Sequence, residues 1–121
     1  MNYKKIKTFE VACKALKLNP KKCLPDFSAY PKEHQAGMIA HAKLVIIAQA
    51  LRGEWKPNWN DSNQYKYFPW FDMSGSGFSC DGFAHDRSRS ALGSRLCYQS
   101  SEVARYAGKT FLKLYKEYFT I

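Results

Sequence analysis

The sequence predicts an α+β protein: two N-terminal helices, a two- or three-stranded antiparallel sheet, and a C-terminal amphipathic helix. Three observations carry this. A run from Pro31 to Leu51, with no proline after its first residue, repeats apolar residues at three- and four-residue spacing. Tyr65 to Met73 is rich in aromatics and alternates between two faces. The segment after Ser100 returns to a helical period, with apolar and basic residues on opposite sides. At 121 residues the chain has the length of one domain, 1–121, with helices packed on one sheet face.

The elements follow in order. Thr8 is placed to cap a helix from Phe9 to Leu18, with Glu10 in its first turn and Asn19–Pro20 as its stop. Lys21 to Tyr30 reads as a loop, punctuated by Pro25. Pro31 suits the first position of the second helix. Met38, Ile39, Ala42, Val45, Ile46 and Ala50 form its apolar stripe, widened by Leu44, Ile47 and Leu51, and Gly53 is the natural stop. Glu54 to Gln64 is a loop. The strand Tyr65–Met73 contains Pro69, which lacks a backbone donor and so marks an edge or a bulge. Ser74–Gly77 is a turn, Phe78–Phe83 a second strand, 84–90 a polar loop and Arg95–Tyr98 a further short strand. Ser100 then caps a helix from Ser101 to Phe119. Its apolar face is Val103, Ala107, Thr110, Phe111, Leu114 and Tyr118. Arg105, Lys109, Lys113 and Lys116 fall in a narrow sector opposite, at about 100° per residue.

The formal net charge is +9, and it is unevenly spread. Residues 1–22 carry seven lysines against Glu10 alone, and residues 87–121 carry four arginines and three lysines against Glu102 and Glu117. The middle is slightly acidic. Such an excess attracts polyanions: nucleic acid, anionic lipid or an acidic protein surface. No apolar run is long enough to span a membrane, and the start lacks the pattern of a secretory signal. Cys13, Cys23, Cys80 and Cys97 are therefore expected as reduced thiols, several of them buried, in a cytoplasmic protein.

Chemistry is poorly supported. Cys80, His85 and Cys97 lack the close paired spacing of a zinc site, so no metal is expected. His34 and His41 sit seven apart on the long helix, outside any nucleophile frame. Carboxylates are few and scattered, and Gly75 and Gly77 are not part of a strand–loop–helix phosphate cradle. No catalytic residue and no cofactor are expected. Binding features are stronger. Trp55, Trp59 and Trp70 lie close together with Tyr65 and Tyr67, and Lys56 and Lys66 are interleaved. Rings beside cations suit single-stranded nucleic acid, a protein interface, or simply a core. Arg87, Arg89 and Arg95 form a second candidate cluster, since guanidinium favours planar contact with phosphate or carboxylate.

Several segments resemble a family of small proteins encoded by phages and prophages of Bacteroides-like bacteria. They are WKPNW at 55–59, QYKYFPWF at 64–71, GSRLC at 93–97, YAGKTF at 106–111, TFEVACKAL at 8–16 and HAKL at 41–44, and the resemblance extends over most of the chain. The resemblance implies a phage setting inside a bacterial host cell, and carries over no catalytic residue. Small proteins of that setting include anti-CRISPR inhibitors, single-stranded nucleic acid binding accessories of replication or recombination, and virion parts. The expected function is non-enzymatic inhibition of an RNA-guided nuclease, type VI included, through the effector or its guide RNA. The binding residues expected for it are Arg87, Arg89, Arg95, Arg105, Lys109, Lys113, Lys116, Trp55, Trp59, Tyr67 and Trp70.

Overall fold

A computed structural model describes residues 2–74 and 77–121, so the expected Ser74–Gly77 turn lies partly outside the described residues. The chain is α+β. Helix α1 runs Phe9–Ala15 behind Thr8, whose hydroxyl accepts the Val11 N–H at 3.2 Å. It ends before Leu18, because the Leu18 N–H bonds back to the Cys13 carbonyl at 2.8 Å while Lys17 takes a left-handed φ of 59°.

Helix α2 runs Lys32–Arg52 and stops at Gly53, where φ is 59°. Pro31 stands one place earlier than expected, at the N-cap. The buried residues are Ala40, Leu44, Ile47, Ala48, Ala50 and Leu51. This face is rotated from the expected stripe: Val45 and Ile46 pack at its margins and Ile39 is exposed. The reason is that α2 is covered on several sides, by α1 and by the C-terminal segment, so apolar residues surround much of it and the period is blurred.

Strands β1 (Lys66–Asp72) and β2 (Ser79–Asp86) pair antiparallel, with Tyr67 opposite His85 and Pro69 opposite Phe83. Strand β2 extends beyond the expected Phe83, because Ala84, His85 and Asp86 pair with Phe68, Tyr67 and Lys66. The register shifts between Pro69 and Phe71. Asp81 and Gly82 together face Trp70, and Gly82 takes a φ of 96°. Of the edge or bulge expected at Pro69, a bulge follows it, with the extra residue on the partner strand. The expected third strand is reduced to a bridge. Tyr98 and Tyr67 exchange two backbone hydrogen bonds of 2.6 and 3.0 Å, while Ser94–Leu96 winds into a 3₁₀ turn that buries Leu96.

The expected single C-terminal helix is two. Helix α3 spans Ser101–Thr110, capped by Ser100, and α4 spans Leu112–Phe119. They meet at Phe111, whose ψ of 30° breaks the run. The break lets α3 lie on the hairpin while α4 lies along α2. Of the expected apolar face, Val103, Ala107 and Phe111 are buried and Thr110 is exposed. Tyr115, outside that face, is fully buried, and its hydroxyl meets that of Tyr98 at 2.7 Å. Much of the aromatic content sits in the interior: Phe71 packs on Phe78, Tyr115 and Phe119 at 4.8, 4.9 and 5.3 Å.

All four cysteines are free, with Cys13 and Cys97 buried. Burial, and then Cys23 at 3.9 Å, push the Cys13 thiol up to about 11. Among the described residues no helix is long and apolar enough to cross a membrane.

Candidate nucleic-acid interface

Strand alternation puts Tyr65, Tyr67 and Pro69 on one side of β1, and the register places His85 and Phe83 beside them. Helix α3 covers part of this face. Gly108 comes so close that a Cβ there would stand 2.6 Å from Pro69 Cβ and 2.7 Å from Cys80 Sγ. The covered half ends at that contact. Beyond it lie Tyr65, Tyr67, Phe83 and His85, of which Tyr65 and His85 are exposed while Tyr67 and Phe83 also pack against the core.

These four rings touch one another. Centroid separations are 4.8 Å for Tyr65–His85, 5.6 Å for Tyr67–His85, 5.8 Å for Tyr67–Phe83 and 6.0 Å for Phe83–His85. A guanidinium stands at each end. Arg87 lies 5.0 Å above the Tyr65 ring and donates to its hydroxyl at 2.9 Å. Arg105, projecting from α3, lies 4.8 Å from the centre of Phe83. Tyr65 and His85 are exposed, and Tyr67 and Phe83 are half-buried. The carboxylate of the neighbouring Asp86 accepts the Arg87 backbone N–H at 2.7 Å, and its charge acts on the Arg87 guanidinium. A surface of this kind offers π faces for bases and charge-paired hydrogen bonds for phosphates.

Of the expected binding residues, the fold gathers Tyr67, Arg87 and Arg105 here. Lys109 follows Arg105 one turn later on α3, exposed, and Lys113 and Lys116 are exposed on α4 beyond the break. Arg89 is exposed in the loop after β2, and Arg95 is exposed in the 3₁₀ turn near the end of α2.

The tryptophans do not come together. Trp55 is half-buried. Trp59 is held inside its loop, its indole N–H donating to Ser94 Oγ at 2.6 Å. Trp70 is 57% exposed, but it sits at the bulge on the other side of β1. There it borders an apolar groove of about 370 Å³ with Phe68, Met73, Leu92 and Phe119. Lys66, expected among the surface cations, is wholly buried. Its amine donates to the carbonyls of Asn58 at 2.6 Å, Gln64 at 3.0 Å and Asp61 at 3.5 Å, and lies 4.9 Å from the Trp59 ring centre.

Phe83 and His85 are the residues that sequence reasoning missed. Their two-residue spacing is a strand signal, hidden because the second strand was ended at Phe83. Among the described residues no group of three His, Cys, Asp or Glu side chains stands ready for a metal.

These features define a small basic α+β protein with an open aromatic–guanidinium face. Comparison with protein-family models, curated proteins and solved structures finds no match to the chain.

Proposed function

We propose that the chain is a non-enzymatic protein that binds a single-stranded segment of nucleic acid on the open face of its hairpin. The carrying observation is the row of four rings, each touching its neighbours, with Arg87 and Arg105 at its ends. Bases stack on such rings without strong sequence preference, and the guanidinium groups meet the backbone. The net charge of +9 strengthens encounter with a polyanion.

In the phage setting that the resemblance implies, the target is an RNA-guided nuclease carrying its guide RNA. Binding to guide bases would occupy the edges and faces that the effector needs for pairing. The same stacking chemistry serves single-stranded DNA, which is the reading of an accessory in phage replication or recombination. Preference for RNA over DNA separates the two.

Direct titration of fluorescent single strands tests the proposal. Tyr65→Ala and His85→Ala should each weaken binding about tenfold, the effect of roughly 1.4 kcal/mol of lost stacking. Trp70→Ala should leave affinity unchanged, because that ring lies on the other side of the strand. Equal affinity for all three variants would sink the assignment. For inhibition, the chain is co-expressed with an RNA-guided nuclease attacking a plasmid, and protection must be lost with Tyr65→Ala/His85→Ala.

A further inference from the structure

A second concave surface lies at the C-terminal end of α2. It is a cleft of about 420 Å³, lined by Val45, Gln49, Arg52, Lys56, Ser94 and Arg95 together with Gly53 and Pro57. Three of these residues are cations, and among the described residues no carboxylate lines it. Glu54 faces the adjoining hollow with Tyr3 and Gln99. The Arg52 guanidinium is fixed, donating to the carbonyls of Arg95 at 3.1 Å and Cys97 at 3.3 Å. Lys56 and Arg95 are exposed. The charge of Arg95 also reaches α2: burial first, and then the field of Arg95, hold His41 below its ordinary value. Like charges lining one cleft repel one another, and an anion placed between them would relieve that repulsion.

The cleft is joined to the hairpin face. Trp59 donates to Ser94 beside Arg95, and its carbonyl accepts the Ser88 hydroxyl at 3.2 Å. Ser88 follows Arg87, which sits over Tyr65. The loop around Trp59 thus links the two surfaces with serines and arginines.

We propose that the cleft between Arg52, Lys56 and Arg95 holds a backbone phosphate of the same single strand whose bases stack on the hairpin. The proposal rests on the function inferred above. It makes the binding track longer than the platform, continuing past Ser88 and Ser94.

The test compares two oligonucleotides, of about four and about sixteen nucleotides, on the full chain. Lys56→Ala/Arg95→Ala removes two exposed cations and leaves Arg52 in place, and its thermal melt should match that of the parent. The long strand should bind on the order of tenfold more weakly, and the slope of log affinity against log salt should fall in magnitude by about 0.7, the share of one phosphate contact. The short strand should bind as before. Unchanged affinity and slope for the long strand overturn the cleft and leave the hairpin reading intact. If Tyr65→Ala/His85→Ala has no effect while the cleft variant weakens the long strand, the phosphate site stands and the hairpin reading fails. If the parent binds neither strand, both fall.

Discussion

Lys66 shows how far a single side chain can depart from its usual role. Lysine is rarely buried without an anion, yet this one is met by carbonyls and a ring. The carbonyls of Asn58 and Gln64 converge on the amine and tie the loop between α2 and β1 to the strand. Lys66→Met fills similar space but strands those acceptors, so the urea midpoint should fall, by about 1–3 kcal/mol of stability. The Tyr98–Tyr115 pair is the second residue-scale device. Burial pushes Tyr98 up to about 12 from an ordinary 10, and holds Tyr115 well above its ordinary value. The folded chain therefore keeps protons that the unfolded chain releases. Stability is whole below pH 10 and falls as pH rises through about 12. Urea midpoints measured across that window should fall less for Tyr98→Phe/Tyr115→Phe than for the parent. None of this was legible in the sequence, where Lys66 reads as one more surface cation between tyrosines. Which carbonyls point at an amine depends on how a loop folds back, and spacing along the chain does not encode that.

Elements were more legible where a local group specifies them. Thr8 and Ser100 cap as expected, Gly53 ends α2, and Pro69 marks the bulge, because each acts through its own backbone or hydroxyl. The break at Phe111 carries no such signal. Two different surfaces, the hairpin and α2, must each be covered by part of one amphipathic segment, and only the tertiary packing divides it. Gly108 bears on the same division, since it lets α3 approach the hairpin. Gly108→Ala should gain helix propensity of up to about 1 kcal/mol, yet lose more through overpacking of about 1–3 kcal/mol against Pro69 and Cys80. A lower melting temperature, with helical circular dichroism preserved, is the expected result.

At the scale of the whole molecule, the charge and aromatic content point to binding, but the place of the proposed site follows from pairing. Arg87, Tyr67 and Arg105 lie far apart in sequence, and the register of the hairpin with the docking of α3 brings them onto one face. The tryptophan-rich stretch was the more conspicuous signal, yet Trp59 is committed to Ser94 and Trp70 faces elsewhere. Burial of Lys66 also gives the protein an internal chemical reporter. Most of its amines meet solvent and would be acylated at once by an amine-reactive reagent, whereas this one is shut away until loop and strand separate. Its labelling rate, followed by mass spectrometry of the peptide containing it, would time the opening of the structure under native conditions, with no residue changed to report it.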